Sequence, residues 1–460
     1  MSIEKGVNGV RPHFPEMGSD PFFFGKRRAE YLRIDAANAG TGGIDDDELA
    51  ALEFVDLAYR GLCAMLYNFV PGSGHPGGSI STGRISERLL FHTMDYDLAN
   101  PELQSADTVV YSAGHKALGL YSLWALRNEI ARITQPELLP ANVNFQFRLE
   151  DLLGFRRNPT ADTPLFRGLG VHALDGHPTP STPFLKVATG ASGVGFCSAI
   201  GLGLGAFDLY RADAPKVHIL EGEGGMTPGR VAEAMAAAGT MGLGNVILHV
   251  DFNQASIDSG RVCRDESGPG DYVQWDPAEL AWLHDWNVIQ VEDGKDFAQV
   301  AAAQAAAARF ANGQPTAIVY RTVKGWQYGI EGRESHGSGH KMCSPGFMTS
   351  IREVPGLDLA KLAECGTDGL QCAGKDPAAI EACYWKMLSE LRSTLEANKV
   401  LLAPIGAKLV AARDRLAQRQ LVPRPQAPRV EALHDAALVN PLETPEALCL
   451  KAGSKATPRS

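Results

Sequence analysis

A strand–helix–strand pattern near the middle of the chain limits its fold more than any other feature. Residues 216–220 and 246–250 are short apolar runs that are typical of buried strands, and a helical stretch over 229–242 lies between them. Strands joined by a helix in this way lie parallel in one sheet. The alternation continues in further apolar runs at 109–111, 288–291 and 317–320. The sequence therefore predicts an α/β fold with a parallel sheet and helices on both faces.

A polar side chain follows each of the two central strands. Glu223, within Gly222-Glu223-Gly224-Gly225, follows the first strand, and Asn253 follows the second. The carboxyl ends of parallel strands share one edge, and ligands of open α/β sheets bind at that edge. Carboxylate, amide and carbonyl oxygens are the ligands of hard cations such as Mg²⁺, which usually reach a phosphate group at the same time. We therefore expect a divalent metal and a phosphate group there.

Bulk composition excludes several classes of protein. The formal charge of −10 argues against nucleic acid as a partner. The 8 cysteines have irregular spacing without a zinc pattern, which favours reduced thiols. The charged N-terminus has no apolar core, so we expect no signal peptide, and the uncharged stretch 187–207 is too rich in Gly, Ser and Thr for a membrane span. These features predict a cytoplasmic protein that is independent of membranes.

Three regions of different character follow one another along the chain. Residues 1–44 predict an irregular N-terminal arm, which includes an apolar cluster at 20–24. Residues 45–345 contain the alternation of strands and helices and form the predicted ligand-binding domain. Residues 346–460 predict a helical extension, with one or two long helices over 376–420, and then a Pro-containing tail directed toward a partner subunit.

Four loops place a histidine beside glycine or proline. The histidines are His75, His115, His177 and His336. Histidine can donate hydrogen bonds to phosphate oxygens and can move protons near neutral pH. A fifth loop, Thr-Gly-Ala-Ser-Gly-Val-Gly at 189–195, precedes an apolar helix whose N-terminal amides suit an anion. Thr227 stands where a Rossmann fingerprint needs glycine, and the chain has no Walker A motif.

In their order and approximate spacing, these loops resemble the pyrophosphate-binding half of transketolase-type thiamine diphosphate enzymes. The resemblance covers residues 45–345 and includes the segment 251–260 after the second strand. It implies that Glu223, Asn253 and the main-chain carbonyl of Ala255 hold a divalent metal on the cofactor's diphosphate.

The resemblance also implies roles for the other loops. His75 and His115 would lie near the diphosphate and the reacting centre, and His177 and His336 would bind the donor's oxygens and move protons. The implied cofactor-binding residues are His115, Gly190, Ala191, Ser192, Gly222, Gly224, Gly225 and Asn253.

Three features depart from the family pattern. The metal-binding acid is Glu223 instead of aspartate, and the extra methylene makes Ca²⁺ or Mn²⁺ alternatives to Mg²⁺ because Mg²⁺ demands stricter geometry. The long stretch between His115 and His177 resembles the homodimeric pyruvate dehydrogenase E1 component. Nothing after residue 345 resembles the family's pyrimidine-binding domain, so we expect a separate subunit to supply it, in a dimer or heterotetramer.

These features lead to one main hypothesis and two alternatives. The main hypothesis is a transketolase-like subunit that transfers a two-carbon ketol unit from a ketose or 2-oxo acid to an acceptor, and that is active only with its partner. The first alternative is a 2-oxo acid dehydrogenase E1-like or acyl-transferring subunit, which the long insert favours. The second is a degenerate, non-catalytic binding subunit. In that case the replacement of the family's aspartate by Glu223 would be a sign that the metal site has degenerated.

Overall fold

Six parallel strands form the centre of the molecule. They are β1 (Tyr31–Ile34), β2 (Thr108–Tyr111), β3 (Val217–Gly222), β4 (Val246–Phe252), β5 (Asn287–Val291) and β6 (Thr316–Arg321). Their order in the sheet is β1-β5-β6-β4-β3-β2. The computed structural model describes residues 27–70, 74–156, 163–255, 273, 275–337, 339–340, 344–360 and 377–425. The parallel α/β sheet predicted from the sequence is confirmed.

Helices cover both faces of the sheet. The longer ones are Asp46–Phe69, Ala117–Thr134, Val194–Tyr210, Gly229–Met241, Phe297–Ala307, Pro377–Ala397 and Lys399–Arg419. The shorter ones are Ala36–Ala39, Pro76–Ser81, Gly83–Arg88, Pro164–Leu169, Pro277–Leu283 and Pro345–Ile351, together with a π-helical turn at Leu89–Thr93. Within the described residues, no helix is both long and apolar enough to cross a bilayer.

Side chains alternate between the two faces of a strand, so successive residues pack in two different hydrophobic cores. In β3, Ile219 packs in one cluster with the helices Val194–Tyr210 and Gly229–Met241, whereas Leu220 packs in the other. The same division separates Ile247 from Leu248 in β4. The sheet is therefore buried on both faces, and the loops at its carboxyl edge carry the polar groups.

The N-terminal arm predicted for residues 1–44 is wrong in its last part. Tyr31–Ile34 forms an edge strand that pairs with β5, with Leu32 opposite Ile289, and Asp35 caps the short helix that follows. Four residues with one charge give no recognisable strand pattern, so this strand depends on its partner for its conformation. Residues 1–26, with the apolar cluster at 20–24, lie outside the described residues.

The long helices predicted over 376–420 are confirmed as a pair, Pro377–Ala397 and Lys399–Arg419. Their buried side chains join the core that contains the helices Asp46–Phe69 and Ala117–Thr134. Ion pairs strengthen this contact: Arg392 lies 2.8 Å from Glu129 and Lys408 lies 2.6 Å from Glu48. The pair therefore completes one face of the domain, while the division into three regions and the direction of the tail stay predictions.

This packing predicts that the two C-terminal helices unfold together with the domain. Leu391 is fully buried in the shared core, so Leu391→Ala should lower the free energy of unfolding by about 2–5 kcal/mol. Val400 lies in the second helix and is 89% exposed, so Val400→Ala is a matched control that should change it by less than about 0.5 kcal/mol. Urea unfolding followed by circular dichroism would show one transition, and an earlier separate transition would contradict the shared core.

Candidate active site

Four neighbouring strands, β6, β4, β3 and β2, bring the candidate residues to one edge of the sheet. Lys324 follows β6, Asn253 follows β4 and Glu223 follows β3. His115 and Lys116 lie in the turn after β2. Because these strands are adjacent and parallel, residues far apart in sequence form a continuous row.

A buried ion pair lies at the centre of this row. The Nζ atom of Lys116 lies 2.6 Å from Oδ2 of Asp251, the penultimate residue of β4. Ser81 donates its hydroxyl to the same oxygen at 2.7 Å, and Thr322 donates to the other carboxylate oxygen. Burial alone would raise the pKa of Asp251, but Lys116 and the hydroxyl donors outweigh it and hold that pKa below its ordinary value.

A second lysine, Lys324, is only 4% exposed. Its Nζ atom donates to the carbonyl of Ala255 at 3.2 Å and lies 2.8 Å from Nδ1 of His336. Burial and the nearby charge of Lys116 lower the pKa of Lys324 to about 8. Sequence reasoning missed both lysines, although Lys116 directly follows His115 and Lys324 stands between a strand end and Gly325.

Glu223 is buried beside these charges, and its pKa is raised to about 7. Burial is the main cause, the carboxylate of Asp251 adds to it, and Lys116 and Lys324 oppose it. The described residues contain no cation within 4.0 Å of its carboxyl group. A cation bound beside Glu223 would lower this raised pKa and favour the ionised carboxylate.

The predicted metal ligands offer an all-oxygen set. Oδ1 of Asn253 accepts a hydrogen bond from the amide of Ala255 at 3.0 Å, and the carbonyl of Ala255 accepts from Lys324. Each of these oxygens has a second lone pair. Within the described residues, no group of three or more His, Cys, Asp or Glu side chains is placed to hold a metal. The oxygens of Glu223, Asn253 and Ala255 have the chemistry that a hard divalent cation prefers, and their role as its ligands stays a prediction.

Three of the four predicted histidines form a cluster. The ring of His75 lies 3.8 Å from that of His336 and 4.6 Å from that of His115, measured between centroids. Burial is the main cause that lowers the pKa of His75 to about 4 and that of His336 to about 3, and Lys324 contributes to both. The pKa of His115 also falls well below its ordinary value because of burial. The imidazoles are therefore neutral near pH 7.

The fourth histidine, His177, lies against Gly190, which in turn packs against Gly114 in the loop of His115. A Cβ atom on Gly190 would lie 3.2 Å from the His177 ring, and one on Gly114 would lie 2.6 Å from the amide nitrogen of Gly190. Gly190 also has a φ of +147°, which side chains other than glycine rarely adopt. These close approaches bring the loops of His115 and His177 together, and the roles of the two histidines stay predictions.

The remaining predicted cofactor-binding residues differ in their surroundings. A Cβ atom on Gly224 would have no heavy atom within 4 Å, so the space beside it is open, and one on Gly222 would lie 3.6 Å from Nζ of Lys116. Ala191 and Ser192 are exposed. Gly225 instead packs against the side chain of Glu221, which accepts from the Ser112 hydroxyl at 2.5 Å. The matching segment 256–260 lies outside the described residues.

The raised pKa of Glu223 predicts how stability depends on pH. The folded pKa of about 7 lies above the ordinary value of 4.5, so the folded state binds this proton more tightly and loses stability as pH rises between those values. Glu223→Gln removes this ionisation and should stabilise the metal-free protein relative to wild type at pH 8, by up to about 3 kcal/mol, but not at pH 5.

Unfolding free energies at both pH values in the presence of EDTA would measure this difference. Glu137→Gln changes an exposed carboxyl group and serves as the control. An equal effect of Glu223→Gln at pH 5 and pH 8 would show that Glu223 titrates normally.

Comparison with known proteins agrees with this geometry. Residues 141–353 match the family described as transketolase, thiamine diphosphate binding domain. Transketolase-like protein 2 of Mus musculus is 32% identical over 254 residues, covering 55% of this chain and 34% of that protein. Transketolase of Homo sapiens is 32% identical over 295 residues, covering 62% and 39%. The chain thus spans little more than a third of the length of these relatives.

Solved structures show the same fold. Transketolase from Leishmania mexicana superimposes with a TM-score of 0.51 and 23% identity, over 80% of this chain and 48% of that one. Transketolase from Campylobacter jejuni gives a TM-score of 0.51 and 22% identity, over 85% and 51%. The chain is therefore similar to the thiamine diphosphate-binding domain of transketolases over residues 141–353, and it shares the fold of solved transketolases.

Proposed function

We propose that this chain is the cofactor-binding subunit of a transketolase-like transferase, which moves a two-carbon ketol unit from a donor to an acceptor. One observation carries the proposal. The cluster of His75, His115 and His336 lies at the same sheet edge as Glu223 and Asn253. Neutral imidazoles can give and take hydrogen bonds at a substrate, while the acid and amide hold a cofactor beside them.

The cofactor would lie along the row of strand ends. Its diphosphate would occupy the open space beside Gly224, near the ammonium groups of Lys116 and Lys324. Glu223, Asn253 and Ala255 would hold a divalent metal, which is Mg²⁺ in the simplest case and Ca²⁺ or Mn²⁺ if the longer acid needs a more tolerant ion. Thiamine diphosphate, when bound, supplies the electron sink that cleavage of a bond next to a carbonyl needs.

The chain's own residues would orient the substrate and handle its protons. His177 and His336 would donate hydrogen bonds to the oxygens of the donor, while His75 and His115 would lie near the reacting centre. Buried, partly water-excluded donors of this kind stabilise developing charge more strongly than donors in bulk water. The burial that keeps the imidazoles neutral is therefore part of how they would act.

One helix face of the described structure supports the proposal of a partner subunit. In the apolar helix Val194–Tyr210, Leu202, Leu204 and Phe207 are only partly buried against the core. Apolar helix faces that the rest of the chain leaves partly uncovered mark interaction surfaces. We propose that a separate subunit with a pyrimidine-binding domain covers this face in a dimer or heterotetramer. The cytoplasmic location stays a prediction.

A donor screen separates this function from the main alternative, a 2-oxo acid dehydrogenase E1-like or acyl-transferring subunit. The length of the insert between His115 and His177 favours that alternative, and the described part of the insert contains short helical turns at Val143–Phe145 and Leu149–Gly154. A transketolase-like enzyme would prefer ketose phosphates as donors. A 2-oxo acid dehydrogenase E1-like enzyme would prefer pyruvate. A degenerate binding subunit would show no metal-dependent affinity for thiamine diphosphate in calorimetry with the partner present.

Reconstitution tests the proposal directly. The purified chain should be inactive alone and should gain transferase activity with its partner, thiamine diphosphate and Mg²⁺. His177→Ala should lower kcat/KM by roughly 10²–10³-fold, as loss of a donor to a reacting oxygen does. His172→Ala is the matched control because His172 in the same insert pairs with Asp151 at 3.2 Å instead. Full activity of the chain alone would refute the need for a partner.

A further inference from the structure

A pocket of about 510 Å³ lies in the insert between His115 and His177 and has no part in the proposed transfer. We call it the insert pocket. Its apolar floor consists of four buried side chains, those of Phe147, Phe166, Val171 and Leu174. No candidate active-site residue is among the described residues that line it. Its volume is typical of pockets that hold small molecules, so its polar wall indicates which ligand it suits.

A buried aspartate fixes the polar wall of the insert pocket. Oδ1 of Asp151 accepts from Nη2 of Arg148 at 2.9 Å and from the main-chain amide of His172 at 3.0 Å, and it lies 3.2 Å from Nδ1 of the same histidine. Oδ2 accepts from the main-chain amide of Arg148 at 2.8 Å. Burial would raise the pKa of Asp151, but the hydrogen bonds from His172 and Arg148 outweigh it and hold that pKa below its ordinary value. An ionised carboxylate only accepts, so Nδ1 of His172 must donate to it.

His172 then offers its second ring nitrogen to the insert pocket. A neutral imidazole that donates through Nδ1 carries a lone pair on Nε2. The side chain of Asn144 lies 3.4 Å from this nitrogen, which is longer than an ordinary hydrogen bond, so a ligand can take its place. Among the described residues that line the pocket there is no lysine or arginine, and the charge of Asp151 is already paired with Arg148. The wall therefore favours an uncharged ligand with an N–H or O–H donor and offers no cation to a phosphate or carboxylate.

We propose that the insert pocket binds an uncharged ring compound with one such donor, and that this ligand acts as an effector through the loop of His177. Leu174, on one wall of the pocket, directly precedes this loop, and Thr182 and Pro183, on another wall, follow it. The carbonyl of Pro183 accepts from Nε1 of Trp124 at 3.0 Å, so this end of the loop is anchored on a helix. A ligand that contacts both ends would stabilise the loop between them.

Three probes of similar shape test the class of ligand. Indole is an uncharged bicyclic ring with one N–H donor, benzofuran has an oxygen in place of the N–H, and indole-3-acetate adds a carboxylate. Saturation-transfer NMR titrations of the isolated chain at pH 8, where an ordinary imidazole is neutral, give each Kd. Indole should bind about fivefold more tightly than benzofuran, the effect of one hydrogen bond, and more tightly than indole-3-acetate. Equal affinity for indole and indole-3-acetate would overturn the preference for an uncharged ligand.

Two variants locate the bound probe. His172→Phe keeps a ring but removes Nε2, so it should lower the affinity for indole to that for benzofuran and leave the affinity for benzofuran unchanged. Ser181→Phe enlarges an exposed residue that lines the pocket and should weaken the binding of both probes. His284→Phe, at a half-buried histidine that does not line the pocket, is the matched control. Unchanged indole binding in His172→Phe would overturn the hydrogen bond, and unchanged binding in Ser181→Phe would overturn the pocket even if His172→Phe failed to fold.

Hydrogen exchange tests the effect on the loop of His177. With indole at ten times its Kd, the main-chain amides of residues 175–180 should exchange up to about tenfold more slowly, and Ser181→Phe should abolish this protection. Equal exchange with and without bound indole would overturn the effector role and leave the binding site standing. These measurements need no cofactor, partner or transfer, so their failure would leave the proposed function untouched. Transfer without this ligand does not use His172, which is why His172→Ala can serve as the control for His177→Ala.

Discussion

The buried ion pair between Lys116 and Asp251 is the interaction on which the candidate site depends. It joins the turn after β2 to the end of β4, and the hydroxyls of Ser81 and Thr322 attach a neighbouring helix and the segment after β6 to the same carboxylate. Loss of either charged partner would leave an uncompensated buried charge, which costs roughly 3–5 kcal/mol. A single carboxylate thus fixes the relative positions of four segments that carry candidate residues.

The same pair determines the electrostatics around it. Burial raises the pKa of Glu223 to about 7, and the ionised carboxylate of Asp251 adds to that shift. Lys324 meets a positive neighbour in Lys116, and its own charge in turn helps to keep His75 and His336 neutral. Acid, lysines and imidazoles are therefore one coupled system, in which a bound cation or anion at the edge would change the protonation of several groups.

Much of this arrangement could be predicted from the sequence because its signals are local. The apolar runs that end at Glu223 and Asn253 predict strands by length and composition alone, and the glycines beside His75 and His177 indicate close backbone approach. Lys116 and Lys324 could not be assigned in this way, because their roles depend on the strand order β6-β4-β3-β2, which long-range packing decides. The edge strand Tyr31–Ile34 was missed for the same reason, since its conformation depends on pairing with β5.

The structure also helps to explain how a glutamate, Glu223, can stand at a position where the family pattern has the shorter aspartate. Three hydrogen bonds hold the turn that carries the other two predicted ligands. Within it Ala255 donates to Asn253 at 3.0 Å, while Asn253 donates to Asp251 at 3.0 Å and Lys324 donates to Ala255 at 3.2 Å. These atoms have little freedom to move toward a metal. A glutamate side chain has one more rotatable bond than aspartate, so Glu223 is the ligand that can adjust its reach. The extra methylene is therefore compatible with a metal site whose other members are fixed by their own hydrogen bonds.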